Sequence, residues 1–587
     1  METQNVPTPP STPLPANCDA PRGEAVIPPK AAPRARYETP VYYALAAALV
    51  SLFYGEFLFT DRVGILDWSK DLYYFAFLHD ALRSFSTLPV SFLHIPDGIR
   101  WFSTLQDASY WSNPEVISLS PFMALAFVLP LMPFIKAVLA AHLAIAAWGV
   151  RLFADALGWS LSQAAALLIL FLGNPWLVQH LAIGYSPQIS LCLVPVLAAL
   201  LVRREFGPLA WGAACLVNAL ILYQGALHLF VWTNLAIAVY AAAKAALDRR
   251  LPALFRASAL FVGSFILVAP KIHAVRAVYG AWQRIPGDGY ASLAALWGLL
   301  TDADFPMFDF PETYSHYGVA FYDASILVGP VFCLAAVWLA LDTLAGTVFR
   351  PGRPDRQIDT TPVAAIMAAA VFLVLGWGTV WRELCRFVPL LASEIYPFRY
   401  LLPALAFLFF LMAHGLGRPA TNRTGRFARI AILAALIATT IVFYQRNRQL
   451  MPALTETPDF IGAFSLAEYY KDRITAFSGP TRLPVAVTPN RVTIIPSGTS
   501  GEQIELPWLP RAALPGYVLE NARPVGNAPG EAAVIETTRA ASPVAVIPRD
   551  HDRTPLLAAA AVIFAAMLGV STVLAGRRNR RDKGMER

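Results

Sequence analysis

The chain has 587 residues, of which 56% are hydrophobic and only 14% are charged, whereas an ordinary soluble domain has about 25% charged residues. This composition excludes an array of soluble domains, because the apolar residues come in long runs, and a helix needs a run of about 20 to cross a bilayer. The net charge of +7 does not indicate nucleic-acid binding, because Lys and Arg lie in short clusters between the apolar runs, the arrangement that orients membrane helices.

The N-terminal segment, residues 1–38, is predicted to be a disordered tail. The first forty residues contain ten prolines and few aromatics, which leaves too little apolar surface to offset the entropy of ordering. Arg34 and Arg36 precede the first apolar run, and no small-residue cleavage site follows it, so we expect no cleaved signal peptide. The five cysteines are scattered, three of them inside apolar runs, which argues against a disulfide framework or a zinc site.

Apolar runs predict twelve membrane spans, eleven of them in a transmembrane domain that covers residues 39–445. The spans lie near 41–60, 134–157, 161–180, 186–202, 207–223, 226–246, 255–273, 323–346, 362–380, 400–417, 427–444 and 554–575. Basic clusters fall on one side of them, and the long loops 61–118, 274–322 and 381–399 fall on the other. Because the basic side is normally cytoplasmic, both termini, including the basic tail 576–587, are predicted to be cytoplasmic.

One apolar segment, residues 118–133, does not fit a simple crossing. It is short and contains three prolines, and a full crossing here would move Arg203, Arg204 and every later basic cluster to the opposite side. We interpret it as a re-entrant or kinked half-crossing, which a membrane tolerates only where protein buries it. The predicted fold class is therefore mostly α, a polytopic protein of 12–13 transmembrane helices, with thirteen spans as the alternative.

Residues 446–553 differ from the rest of the chain. Short alternating stretches, such as Val485–Val487 and Val544–Ile547, are broken by Pro, Gly and Asn, a pattern typical of strands. This segment is predicted to be a small β domain outside the cytoplasm, anchored by the last helix at 554–575. No internal repeat is evident in the sequence, which disfavours a transporter built from inverted halves.

The first predicted loop carries carboxylates directly beyond the first span. Asp67 and Asp71 flank Lys70 among several aromatics, and Asn113 and Glu115 follow before the half-crossing. Two acids that are four residues apart share one face if this part of the loop is helical. A solvated loop with an interfacial aromatic belt is the alternative interpretation.

In the order and spacing of such elements, the chain resembles the type C (GT-C) glycosyltransferase superfamily, and most closely its poorly characterised bacterial branch. The resemblance covers about residues 40–420. It rests on Asp67-Trp68 and Asp71-x-x-Tyr74, Asn113-Pro114 with Ser120-Pro121, His180 with Gly184-Tyr185, Pro270-Lys271, His316-Tyr317-Gly318, Gly329-Pro330 and Tyr396-Pro397-Phe398-Arg399-Tyr400. It implies a protein of the bacterial inner membrane that transfers a sugar from a polyprenyl-phosphate donor to an outer-side acceptor, with inversion at the anomeric carbon.

That chemistry needs a carboxylate to take the proton of the acceptor hydroxyl and cations to hold the donor phosphate. Asp71 and Asp67 are both candidates for the base. The resemblance favours Asp71, because the acid of the family is commonly followed by an aromatic residue three positions on, as Tyr74 follows Asp71, whereas Asp67 fits the Asp-Trp form typical of this branch. Arg399 and Lys271 are the candidates for phosphate binding, although both are also placed to snorkel at the interface. The residues predicted to line the substrate cavity are Asn113, Glu115, Tyr185, His228, His316, Tyr317 and Tyr396.

The resemblance fixes no cofactor, and Glu115 and His316 are candidate ligands for a divalent metal, because some relatives use one. The acceptor is left open between a glycan, a lipid and a protein, and membrane lipid is the other expected partner.

Two alternative functions remain. One is a lipid-linked saccharide translocase. The other is a catalytically silent scaffold with the same fold, because Tyr185 stands where the family usually has His.

Overall fold

The computed structural model of the protein describes most of the chain between Glu38 and Thr572. The described residues are 38–64, 68–89, 110–184, 186–203, 206–279, 289–302, 326–348, 360–387, 397–417, 423–450, 455–456, 465–471, 473–510, 517–525, 532–548, 557–570 and 572. The predictions for the tails 1–37 and 576–587 lie outside these residues.

Within the described residues the chain is mostly helical, as predicted. The helices are α1 (Glu38–Phe59), α2 (Trp68–Phe85), α3 (Leu131–Ala156), α4 (Leu161–Gly173), α5 (Pro175–Ile183), α6 (Val194–Val202), α7 (Pro208–Tyr223), α8 (Leu227–Asp248), α9 (Pro252–Tyr279), α10 (Leu293–Thr301), α11 (Pro330–Val348), α12 (Thr361–Leu375), α13 (Gly378–Phe387), α14 (Leu401–Leu416), α15 (Arg423–Leu450), α16 (Leu466–Lys471) and α17 (Leu557–Val570). Short 3-10 helices cover Pro121–Phe127, Ser186–Leu193 and Pro397–Tyr400.

Seven helical segments in the described residues are long and apolar enough to cross a membrane, and five shorter apolar helices accompany them. Together they coincide with the twelve apolar runs predicted from the sequence. The segment Leu161–Ile183 is the most enclosed of the seven, with 89% of its apolar stretch buried, so it lies at the centre of the bundle. It is two helices, because Pro175 interrupts the ladder and the Asn174 side chain caps the second helix through the amide of Trp176 at 2.9 Å.

Two irregular segments lie between the helices along the chain. Residues 118–133 form a seven-residue 3-10 helix, Pro121–Phe127, before α3 begins at Leu131. At about 2.0 Å per residue this helix is too short to cross a bilayer, so the structure does not favour a thirteenth span. The second segment, Ser186–Leu193, is also a 3-10 helix that leads into α6.

The first predicted loop contains a helix that the hydropathy pattern did not predict. Helix α2 runs from Trp68 to Phe85, and most of its residues are buried. Its first residue is fixed to the bundle, because Trp68 packs on Phe57 and its indole N–H donates to the carbonyl of Leu181. The N-terminus of α2 is therefore held against the end of α5.

The C-terminal region forms two antiparallel sheets, as predicted for a β region there. Its strands are β3 (Ala476–Ser478), β4 (Thr481–Leu483), β5 (Val485–Thr488), β6 (Arg491–Ile494), β7 (Gln503–Pro510), β8 (Tyr517–Glu520), β9 (Ala522–Pro524), β10 (Ala532–Thr537) and β11 (Val544–Pro548). The five-stranded sheet has the order β4-β3-β7-β10-β9, and the four-stranded sheet has the order β5-β6-β11-β8. Alternating buried residues on β6 and β10 form part of a shared core.

Three contacts attach this β region to the first loop. Strand β1 (Arg62–Val63) pairs antiparallel with β2 (Thr455–Glu456). The carboxylate of Asp80 on α2 accepts the backbone N–H of Leu466 at 2.8 Å, which caps α16, and the Asn490 side chain donates to the carbonyl of Leu88 at 2.8 Å. The β region is thus tied to the same loop that carries the predicted catalytic acids.

Candidate functional site

The site begins at the first turn of α2, where Lys70 and Asp71 are both buried, with 7% and 2% of their surfaces exposed. Asp71 lies near the helix N-terminus, where unpaired backbone N–H groups favour a negative charge. Its carboxylate also accepts the backbone N–H of Ser186 at 2.9 Å, the first residue of the 3-10 helix at 186–193. Asp71 is therefore fixed between two elements, α2 and the 3-10 helix at 186–193.

Residues 110–120 form the opposite wall. The Tyr110 hydroxyl donates to the carbonyl of Ile117 at 2.9 Å, and the amide of Glu115 donates to the Asn113 side chain at 2.9 Å. The Asn113 amide in turn donates to the Tyr74 hydroxyl at 3.0 Å. These bonds give the loop a defined shape and join it to the face of α2 that follows Asp71.

The same loop is packed against the end of α7. The amide of Ser118 donates to the carbonyl of Tyr223 at 2.9 Å. Gly225 has φ +91, and a Cβ atom there would lie 2.6 Å from the backbone carbonyl of Glu115. Only glycine fits both that dihedral and that distance, so the position of Glu115 depends on Gly225.

An ion pair connects the two walls. Lys70 Nζ lies 2.6 Å from Glu115 Oε2, and 33% of the Glu115 side chain is exposed. Burial raises the pKa of the Glu115 carboxyl. The Lys70 ammonium and its hydrogen bond outweigh this effect, and the electrostatic influence of His228 and Arg399 adds to theirs, so the pKa lies below its usual value. Glu115 is therefore ionised at neutral pH and lies within electrostatic reach of His228 and Arg399.

Arg399 reaches this site from a distant part of the chain. It lies in the 3-10 helix Pro397–Tyr400, directly before α14, and only 5% of its surface is exposed. The neighbouring Tyr400 packs on Trp381 of α13, with ring centroids 5.1 Å apart. A buried guanidinium needs negative partners, and Glu115 supplies one charge close enough to influence it electrostatically.

Lys271 is fully buried in α9, and its ammonium donates to the carbonyls of Trp111 at 2.7 Å and Asn113 at 2.8 Å. It also lies over the Trp111 ring, 5.4 Å from the centroid. Two of its three donors are thus used to hold the loop that carries Glu115. This geometry favours a loop anchor over the phosphate ligand that the sequence suggested.

The structure therefore brings together Asp71, Asn113, Glu115, His228, Lys271 and Arg399, six of the predicted site residues. The other five, Asp67, Tyr185, His316, Tyr317 and Tyr396, lie outside the described residues. Because His316 is one of these five, the predicted metal site of Glu115 and His316 also lies outside the described residues. In the part of the chain that the structure describes, no group of three or more His, Cys, Asp and Glu side chains is arranged to hold a metal ion.

Sequence reasoning missed Lys70 as a site residue, although it lies between the two candidate acids. Its place directly before a predicted catalytic acid was a signal. Adjacent residues on a helix point in different directions, so Lys70 can reach a different partner from Asp71. Ser186 was missed for a different reason. It contributes a backbone amide, which no residue type reveals.

No protein-family model and no curated protein sequence matches this chain. The site offers a buried carboxylate beside an ionised glutamate, a guanidinium and an ammonium, next to apolar helices. Such a set of groups can take a proton from a hydroxyl and hold an anionic group in a medium that water enters poorly.

Proposed function

We propose that the chain is a membrane glycosyltransferase of the GT-C type, located in the bacterial inner membrane. It transfers a sugar from a polyprenyl phosphate to an acceptor on the outer side, with inversion. The observation that supports this proposal is the convergence of residues that are spread over more than 300 positions of sequence. Glu115 lies within electrostatic reach of His228 and Arg399, and Asp71 and Glu115 both lie within electrostatic reach of the Tyr74 hydroxyl. A solvated loop would not bury Asp71 and Arg399 to 2% and 5% exposure.

In the proposed reaction the acceptor hydroxyl oxygen attacks the anomeric carbon while its proton passes to the carboxylate of Asp71. The bond between the anomeric carbon and the phosphate oxygen breaks, and its electron pair leaves with the polyprenyl phosphate. Attack opposite the leaving group inverts the anomeric centre. Phosphate is a good leaving group without protonation, so the reaction needs a base and a cation rather than a general acid.

Arg399 is the proposed cation, because its planar fork can donate two parallel hydrogen bonds to phosphate oxygens. Glu115 would then fix the position of Lys70 through their ion pair. Lys271 would anchor the loop that carries Glu115. Asp67, one residue before α2, remains the alternative base. The donor sugar and the acceptor class, whether glycan, lipid or protein, are not part of the proposal.

The proposal is tested by assaying purified protein for sugar transfer from a polyprenyl-phosphate hexose, with Asp71→Asn, Asp67→Asn and Arg399→Gln as variants. Asp71→Asn should lower the rate by about 10²–10⁴-fold and leave donor binding intact, because Asn retains the shape but cannot take the proton. Arg399→Gln should weaken donor binding.

A matched control is Asp155→Asn, because Asp155 pairs with Arg151 on α3 at 3.3 Å and has no place in the proposed site. It should transfer at the wild-type rate. Full activity in both Asp71→Asn and Asp67→Asn would reject a loop aspartate as the base. A wild-type protein that binds the donor but transfers nothing would favour a silent scaffold, and one that only moves the donor across vesicles would favour a translocase.

A further inference from the structure

The β region contains a cleft between α16 and the strands β4 and β5. Its volume is about 540 Å³, within the range of about 300–1,000 Å³ that is typical of ligand sites. Strand β4 is at one edge of the five-stranded sheet, β5 is at one edge of the four-stranded sheet, and only Pro484 separates them in sequence. We infer that this cleft binds an extended, acidic peptide segment of a partner protein. The inference does not depend on the proposed function.

The floor of the cleft is apolar. Tyr470, Ile474 and Leu483 line it and are only 1%, 2% and 5% exposed. Val485 and Val487 of β5 also line it, whereas the residues that alternate with them are exposed. Alternate residues of a strand point to opposite faces, so β5 presents one apolar face to the cleft. An extended peptide with apolar side chains at every second position has the same spacing.

Strand β5 is also an edge strand. In the part of the chain that the structure describes, it pairs with β6 and with no other strand. The backbone N–H and C=O groups along the outer edge of such a strand can pair with an added strand. A peptide is therefore favoured over a saccharide or a lipid headgroup, because only a peptide can extend the ladder of backbone hydrogen bonds.

Two cations lie at the rim of the cleft, and none of the described residues that line it is acidic. The Arg482 guanidinium donates to the carbonyl of Lys471 at 2.8 Å, so the two residues adjoin, and this bond uses only one of its five N–H groups. The Lys471 ammonium pairs with Glu468 at 3.5 Å, and these side chains are 65% and 74% exposed. A pair this exposed contributes little to stability, so a carboxylate of the ligand can replace Glu468. The charge of the cleft therefore favours an acidic partner.

Both walls of the cleft are bonded to the segment that carries the candidate catalytic residues. The amide of Leu466, at the start of α16, donates to Asp80 at 2.8 Å, and Asn490, in the turn after β5, donates to the carbonyl of Leu88 at 2.8 Å. Asp80 is on the same helix as Asp71, about 14 Å further along its axis. A peptide in the cleft would therefore lie near the C-terminal end of α2.

The test measures the binding of fluorescent synthetic peptides to detergent-purified full-length protein. The first peptide alternates Val and Glu, the second alternates Val and Lys, and the third is the Val–Glu peptide methylated at every backbone nitrogen. The Val–Glu peptide should bind and the Val–Lys peptide should not. Methylation should weaken binding about tenfold, because it removes the backbone donors that would pair with β5.

Variants of the two cations link the binding to this cleft. Arg482→Gln and Lys471→Gln should each weaken binding of the Val–Glu peptide about two- to fivefold, because each removes one cation from an exposed position. The double variant Lys471→Glu with Arg482→Glu should bind the Val–Lys peptide instead, a gain that a misfolded protein could not produce.

Arg523→Gln is the matched control. Arg523 lies on β9, at the opposite edge of the five-stranded sheet from β4, and pairs with Glu536 at 3.1 Å. This variant should bind the Val–Glu peptide like wild type.

Three results would overturn the inference. The first is a wild-type protein that does not bind the Val–Glu peptide or binds both charged peptides equally. The second is undiminished binding of the methylated peptide, since the cleft would then recognise charge without backbone pairing. The third uses an oligogalacturonate, which is acidic but has no peptide backbone. If it binds more tightly than the Val–Glu peptide, the occupant is an acidic saccharide. None of these measurements involves sugar transfer, so the proposed function is tested separately.

Discussion

Lys70 and Glu115 differ from the surface ion pairs of this protein in burial. The Lys70 side chain is 9% exposed, whereas in the pair of Arg386 and Glu383 on α13 the side chains are 73% and 53% exposed. Breaking a buried pair leaves one charge without compensation, which costs far more than losing an exposed pair. The pair of Lys70 and Glu115 can therefore be tested by mutation, and the exposed pair of Arg386 and Glu383 is its matched control.

We predict that Lys70→Met and Glu115→Gln each lower the free energy of unfolding. The double variant should lose less of it than the two single variants lose together. The coupling free energy from this double-mutant cycle should be about 1–3 kcal/mol. The same cycle on Arg386 and Glu383 should give about 0.2–1 kcal/mol. Thermal unfolding in detergent provides both values, and equal coupling in the two cycles would contradict an enclosed site.

The lowered pKa of Glu115 predicts a dependence of stability on pH. A carboxyl whose pKa is lower in the folded protein contributes stability above its unfolded pKa, which is about 4.3, and this contribution is lost as the pH falls through the folded pKa. The stability difference between wild type and Glu115→Gln should therefore be constant near neutrality and shrink below about pH 4. Unfolding temperatures measured from pH 7 to pH 3 test this, and a difference that grows on acidification would contradict the sign.

At the scale of elements, Gly225 is the position where backbone geometry bears most directly on the site. We predict that Gly225→Ala destabilises the protein and also weakens donor binding, because the new Cβ would lie 2.6 Å from the Glu115 carbonyl and would displace it. Gly158→Ala is the matched control, since Gly158 has φ +69 but nothing within 4 Å of a Cβ.

Gly158→Ala should therefore cost only the left-handed strain, about 1–2 kcal/mol, and leave donor binding unchanged. Unfolding temperature and equilibrium binding of a polyprenyl-phosphate sugar measure the two effects separately. The prediction fails if both variants bind the donor like wild type, because the position of Glu115 would then not matter for binding.

The helices of the bundle were predictable from sequence because each is an apolar run of nearly uniform hydropathy, which needs no knowledge of neighbours. Helix α2 was not predictable in this way. Its sequence mixes Lys70, Asp71, His79 and Asp80 with aromatics, so its mean hydropathy resembles that of a loop. Its buried Lys70 and Asp71 and its partly buried Asp80 are stabilised by contacts with Glu115, Ser186 and Leu466, all distant in sequence.

The candidate site was proposed from sequence for a different reason. Residue types and their order in the motifs of the GT-C resemblance pointed to Asp71, Asn113, Glu115 and Arg399. The anchoring role of Lys271 depends on backbone carbonyls of Trp111 and Asn113, and the contact with Ser186 is through a backbone amide. Backbone groups are identical along the chain, so only the folded structure reveals which of them are used.

For the molecule as a whole, the side of the membrane on which the β region lies is a testable prediction. Ala541 is exposed in the turn between β10 and β11, and Arg250 is exposed at the end of α8. Ala541→Cys should react with an impermeant maleimide in intact spheroplasts, whereas Arg250→Cys should react only after permeabilisation. Labelling is measured relative to the parent chain, which has its own cysteines. The reverse pattern would contradict the predicted orientation.

The pairing of β1 with β2 has a consequence for the order in which the protein is made. Arg62 pairs with Glu456 and Val63 with Thr455, so one partner leaves the ribosome nearly 400 residues after the other. At about 5–20 residues per second, that interval is about 20–80 s. During this time the strand next to Lys70 and Asp71 has no partner, although much of the bundle around it has already been synthesised. The loop that carries Lys70 and Asp71 is therefore among the first segments to be translated and among the last to be completed.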